Sequence, residues 1–349
     1  MTTQAIARAG RRGGPLGRGR SRRGAVLLGV LAVALAGAVV SLLVGARLLD
    51  PVTALHALLD PGSGSPESVI MANRLRRTVV GVVVGAALAA AGGAMQGVTR
   101  NPLGDPGILG LNAGATLAVV AGITFAGAAG ALQYAGWALA GTAVAAVVVY
   151  SIAGVGRGGP TPIKLALVGA AFSAGALSVT SALRLQEQET LDALRRWQIG
   201  ALTRASYGDV LTVLPLVGLG LCLTVGFAAS INNFALGDDM ARSLGEKVAL
   251  KRSVVFLGVT ALCAGAVALA GPIAFLGLMA PHAMRSLLGP DYRWILPSCL
   301  LAGPALLLWA DALGRVILPP TEVEVGVAMA VLGVPVFIAL IRSRKAVNL

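Results

Sequence analysis

Charge is scarce in this sequence, and acid is scarcer than base. Only 12% of the 349 residues are Asp, Glu, Lys or Arg, with 28 cations against 15 anions. Soluble domains carry about 25% charged residues, so an ordinary soluble fold is excluded. No Gly-Lys pair occurs, hence no GxxxxGK[ST] phosphate loop. Cys222, Cys263 and Cys299 lie in apolar surroundings without CxxC spacing, which argues for packing rather than a disulfide or metal site. His56 and His282 have no neighbouring ligands, so no metal and no cofactor is expected in this chain. Apart from Asp311, acids stay in loops or near the ends of apolar runs. The intramembrane acids that ion-coupled carriers use are therefore missing. If the chain moves a solute, the energy is expected from another subunit.

What is abundant is apolar sequence, 56% of the chain. Charge-free runs such as 25–45 and 79–94 suit membrane-spanning helices, and their Gly, Ala, Ser and Thr let such helices approach closely. The expected fold is all-α and polytopic. It has about ten spans, at 24–48, 78–98, 108–128, 131–154, 164–185, 209–230, 253–271, 272–288, 294–314 and 325–342. Pro272 and Pro281 divide the run that yields the seventh and eighth. Residues 24–342 then form one transmembrane domain between a basic tail, 1–23, and a short tail, 343–349. "GAALAAAGGAMQGVTRNP" and "AGAVALAGPIAFLGLMAPH" echo each other, as two inverted five-helix halves would.

The net charge of +13 is placed for a membrane, not for nucleic acid. Seven arginines (Arg8, Arg11, Arg12, Arg18, Arg20, Arg22, Arg23) and no acid precede the first span, the positive-inside signal for a cytoplasmic N-terminus. An Arg-rich export signal is the rival, but a cleaved signal has an apolar core of about 7–15 residues, and this run is longer. With ten spans both termini are cytoplasmic and most Lys and Arg fall inside. "NRLRRT" (73–78) breaks the rule with three arginines outside, so these need another reason.

Four further segments carry information. "TRNPLGDPGILG" (99–110) packs helix breakers between two apolar runs, either as a tight connection or as irregular backbone lining a cavity. "LDALRRWQIGAL" (191–202) has helical spacing and is expected on the outer surface. In "ALGDDMARSLGEKVALKR" (235–252), Gly237 and Asp238 mark a helix start, Ala241 and Leu244 an apolar face, and Gly245 a stop. That segment suits a docking helix or an ordinary solvated loop. Asp311 and Arg315, four apart, can pair on one helix face.

"GGAMQGVTRNPLGDPGILGLNAGA", "RRWQIGAL", "ALGDDMARSLG", "AGPIAFLGLMAPHAMR" and "WADALGR" followed by "EVEVGVAMAVLGVPVFIALI" occur in that order. Together they resemble the permease subunits of ABC importers for ferric siderophores, haem and vitamin B12, the FecCD family. The resemblance covers the chain from about Arg74 onward. It implies a ten-helix subunit of the cytoplasmic membrane of a prokaryote, paired with a second permease subunit, identical or related. Two cytoplasmic ATP-binding cassette subunits would hold ATP and Mg, and an extracytoplasmic substrate-binding protein would dock opposite.

By the same resemblance Asn101 and Leu103 line a cytoplasmic gate, with Pro162 and Ile163 at a second constriction where relatives can carry small hydroxyl residues. Asp238, Ala241, Arg242, Leu244 and Gly245 belong to a coupling helix. Arg74, Arg77 and Arg315 meet carboxylates of the binding protein, with headgroup anchoring as the alternative and the one for Arg76. The cargo this implies is a ferric siderophore, with cobalamin or haem as alternatives. An ion-coupled carrier and a non-transporting anchor are the rival classes.

Overall fold

The computed structural model describes residues 16–45, 48–62, 64–128, 131–156, 160–184, 197–318 and 321–342. Among them are thirteen helices: α1 (Leu16–Leu43), α2 (Pro51–Leu59), α3 (Pro66–Thr99), α4 (Leu111–Ala126), α5 (Ala131–Gly154), α6 (Pro162–Arg184), α7 (Tyr207–Gly226), α8 (Ala228–Ala235), α9 (Asp238–Ser243), α10 (Val248–Ala270), α11 (Leu276–Leu288), α12 (Tyr292–Ile317) and α13 (Val325–Arg342). Seven are long and apolar enough to cross a membrane. The shorter α4 and α13 are apolar too, and α11 overlaps the remaining expected segment, 272–288. Most of the 1–23 and 343–349 tails, and residues 191–196 of the expected surface helix, lie outside the described residues. Residues 16–23 are already helical, as the start of α1.

The second span begins earlier than hydropathy alone indicates. Ser65 caps α3 by accepting from Ser68 N–H at 3.2 Å, Pro66 opens it and Glu67 sits in its first turn. "NRLRRT" is therefore helix, not loop. At 1.5 Å per residue, the 34-residue α3 runs for about 50 Å. Arg74 and Arg100 are about 40 Å apart along it, more than the roughly 30 Å hydrocarbon core. They mark opposite faces.

α3 is the axis of the fold, packed against α12, α10, α11 and α7. Backbones touch where it crosses its neighbours. A Cβ on Gly92 would lie 1.9 Å from Gly277 O, and one on Gly303 2.0 Å from Gly85 O. Only glycine permits these crossings, and close approach drives helix association in lipid.

α11 departs from the expected 272–288 span. Residues 271–275 are non-helical, and α11 then covers only about 20 Å, beginning beside the middle of α3. Irregular backbone at that depth is tolerated because it is buried in protein; Ile273 is 5% exposed and Leu276 fully buried. Pro281 lies inside α11 and removes the N–H that would bond Gly277 O. Gln96 of α3 supplies the missing donor, its Nε2 lying 3.3 Å from Gly277 O.

α1 lies parallel to α12. Arg23 stacks over Trp294, Trp309 Nε1 donates to Val33 O at 3.1 Å, and Arg315 reaches Ser41. α1 thus starts on the Arg100 face. α13 starts near Glu322, at Arg77, and so ends on the Arg100 face too.

Candidate functional site

On the Arg100 face α3 ends in a Schellman turn. Asn101 N–H donates to Gln96 O at 3.2 Å and Arg100 N–H to Gly97 O at 3.4 Å. The left-handed position, usually glycine, is Arg100 (φ 51°), at a cost of about 1 kcal/mol. The next residues are fixed by their own polar groups. Asn101 Oδ1 accepts from Leu103 N–H at 2.9 Å, Gly104 N–H donates to Asn101 O at 2.8 Å, and Asp105 Oδ1 accepts from Gly107 N–H at 2.7 Å. Burial pushes the Asp105 carboxyl above its ordinary pKa, and the Gly107 bond partly offsets this.

This turn and the start of α6 enclose a cavity of about 130 Å³ lined by Met95, Thr99, Asn101, Asp105, Ile163 and Ala166, among others. Two of the four expected gate residues, Asn101 and Ile163, therefore share one cavity, and Ile163 is 74% exposed. Leu103 is half-buried beside it. Pro162 opens α6, and its side chain is outside the described residues.

The segment expected to couple to a partner, 235–252, follows α8 on the same face and folds as α9 and the first turn of α10. α9 starts at Asp238 after Gly237, and Gly245 follows it with φ 80°. The apolar residues in and beside α9 point two ways. Ala241 is fully buried against the chain's own body, whereas Leu236, Met240 and Leu244, four residues apart, are more than half exposed. Arg242 pairs with Asp239 at 3.2 Å. Asp238 faces inward, paired with Arg100 and with Arg252 Nη2 at 2.8 Å. Sequence reasoning missed Met240 and Leu236, because so short a helix has too few turns for its exposed face to be read, and Arg100 and Arg252 carried no local signal.

On the opposite face the arginines that defy the positive-inside pattern are buried. Arg74, Arg77 and Arg315 are 8%, 7% and 2% exposed. The expected Asp311–Arg315 pair is present. Arg77 Nε and Nη2 reach Asp311 Oδ1 at 3.0 and 2.7 Å, and its Nη1 reaches Glu322 at 2.6 Å. Arg74 Nη1 donates to Leu42 O and Leu43 O, and Arg315 Nη1 to Ser41 O and Val44 O, at 2.7–3.1 Å. These carbonyls lie at and just beyond the end of α1, where cations are favoured. Arg74 and Arg315 thus hold the end of α1 to α3 and α12, and Arg77 ties α3 to α12 through Asp311. With Asn73, Arg76, Thr203 and Glu322 the three arginines also border a cavity of about 460 Å³. Burial pushes the nearby Glu324 carboxyl up, while Arg77 and Arg204 pull it back.

Among the described residues, seven helices are long and apolar enough to cross a membrane, and the body they belong to displays Leu236, Met240 and Leu244 on one face. The model of the FecCD transport family matches residues 31–343, and the chain belongs to that family. It is 40% identical to the ferric enterobactin transport system permease protein FepD of Escherichia coli over 321 residues, covering 92% of this chain and 94% of that protein. It is 41% identical to the probable siderophore transport system permease protein YfiZ of Bacillus subtilis, over 80% of this chain and 84% of that one. A solved inward-facing metal-chelate type ABC transporter shares the fold with a TM-score of 0.78 at 24% identity, covering 92% of this chain and 99% of its own. The protein is an integral-membrane permease.

Proposed function

We propose that this chain is the permease of an ATP-driven importer that carries a ferric siderophore across the cytoplasmic membrane of a prokaryote by alternating access. The observation that carries this reading is the full-length similarity to permeases named for ferric enterobactin and siderophore transport. A cobalamin cargo has one point in favour, 36% identity to a cobalamin import permease of Halobacterium salinarum.

Residues 24–342 act as one transmembrane domain, with the Arg100 face cytoplasmic. The arginines leading into α1 support that orientation, and both tails, 1–23 and 343–349, then lie inside. Two ATP-binding cassette subunits dock below and supply ATP and Mg. Leu236, Met240 and Leu244 enter their groove, Arg242 meets a carboxylate, and Asp238, Ala241 and Gly245 shape the helix from within. Asn101, Leu103, Pro162 and Ile163 form the cytoplasmic gate. An apolar ring there closes by excluding water, and an Asn can bond across it. A second permease subunit covers the exposed faces of α6 and α13, including Leu167, Leu177, Val327 and Val331.

An extracytoplasmic binding protein docks over Arg74, Arg77 and Arg315. Four arginines around that cavity against Asp311 and Glu322 leave an excess of positive charge, which steers a carboxylate-bearing partner and fixes its orientation.

The test is uptake of labelled ferric siderophores, haem and cobalamin by a strain lacking this chain and by the same strain with it restored. Restored, ATP-dependent uptake of one ferric chelate is the expected result. Restoration of cobalamin alone keeps the mechanism and overturns the cargo. Uptake that fails with a protonophore while ATP stays high overturns the energy source.

A further inference from the structure

A single carboxylate joins the expected docking helix to the expected gate. Arg100 occupies the left-handed position of the turn that closes α3, where glycine would fit without strain. A strained residue persists where its side chain is needed, and here that side chain reaches Asp238, the first residue of α9. On the other side of the same carboxylate stands Arg252 of α10, with Nη2 at 2.8 Å and Nη1 at 3.3 Å. Arg252 is 4% exposed and lies over the Phe234 ring at 5.6 Å, so it is held by the body of the protein. Arg100 is one-third exposed and is followed directly by Asn101, whose side chain fixes the Leu103 N–H.

We infer that Asp238 and Arg100 are the positioning residues that carry a movement of α9 to the Asn101–Leu103 turn, with Arg252 as the fixed side of the link. The inference rests on the reading of α9 as the ATPase contact. Charge-assisted hydrogen bonds to one carboxylate are strong and directional. When α9 shifts, Asp238 moves relative to the anchored Arg252 and takes Arg100 with it. Arg100 belongs to the backbone of the turn, so the turn rotates. If α9 withdraws the carboxylate altogether, two like charges are left facing each other, which opposes the return of Arg100 to its place. Coupling then has two discrete arrangements, as transmission between sites requires.

The experiment uses the permease co-expressed with its ATPase subunits and reconstituted in liposomes. The reporter is the rate at which a water-soluble maleimide modifies a Leu103→Cys variant in a Cys222→Ser background, with and without ATP and vanadate. In the parent the nucleotide should change that rate by about tenfold, within the usual range for coupled sites. In Arg100→Gln, whose side chain is exposed enough to be removed without unfolding, the ATPase should still co-purify while the change falls to about twofold or less. Asp238→Asn should match it, the double variant should lose no more than either single one, and Asp238→Glu should keep most of the response. A parent-like response in Arg100→Gln overturns the inference. Failure of the ATPase to co-purify with the parent is a different failure: it removes the reading of α9 and the inference together.

Discussion

Gln96 Nε2 lies 3.3 Å from Gly277 O, the carbonyl that Pro281 leaves without its helical partner. A buried carbonyl without a donor costs about 1–3 kcal/mol, so Gln96→Leu should destabilise the detergent-purified protein by about that amount. The partner variant decides the cause. Pro281→Ala returns an N–H to α11, and in that background Gln96→Leu should cost clearly less. Equal costs in both backgrounds would mean that Gln96 acts by packing alone.

Asp311 is fully buried between Arg77 and Arg315. Asp311→Asn leaves two buried guanidiniums facing a neutral amide, and removing one partner of such a pair costs about 3–5 kcal/mol. Glu322 is one-third exposed, so Glu322→Gln should cost less than about 1 kcal/mol. Thermal denaturation of the two variants should rank them in that order by a wide margin. Similar losses would show that water reaches Asp311.

The two faces of α9 yield opposite expectations. Leu244→Asp and Met240→Asp change exposed positions, which typically shifts stability by no more than about 0.5 kcal/mol, yet each should abolish co-purification of the ATPase. Ala241→Asp puts a charge where nothing is exposed and should unfold the segment before any partner is met. Pull-down with a parallel melting curve separates the two failures. An Ala241→Asp chain that is stable but unable to bind would move Ala241 to the docking face.

The spans were legible because charge-free runs of that length have few other uses. Boundaries were less so. Hydropathy stops at Arg77, so α3 reads as starting there, although Ser65-Pro66-Glu67 carries the true start signal. The 271–275 break is apolar and reads as helix, because burial, not polarity, makes it tolerable. α9 spans six residues, too few turns for periodicity to tell Ala241 from Met240. The arginines of "NRLRRT" were visible as exceptions, but their partners are not local. Asp311 lies 234 positions from Arg77, and Leu42 lies 32 from Arg74. Only the fold joins them.

Glu246, between α9 and α10, gives a pH-dependent term whose sign is fixed. Its side chain is 8% exposed and accepts from Lys251 Nζ at 2.5 Å, Asn233 Nδ2 at 2.8 Å and Ser230 Oγ at 3.4 Å. Lys251 above all, with help from Asn233, holds the carboxyl below the usual glutamate range, against the opposing effect of burial. The folded protein thus favours the charged form more than the unfolded chain does. The resulting stabilisation is complete above the ordinary glutamate value of about 4.3 and disappears as pH falls through the lower folded-state value. Glu246→Gln keeps the shape but has no charge to lose. Parent and variant should differ in melting temperature by a constant amount from neutral pH down to roughly pH 5, and the gap should close on further acidification. A gap that widened there would mean that the neutral acid, not the carboxylate, is the form this junction prefers.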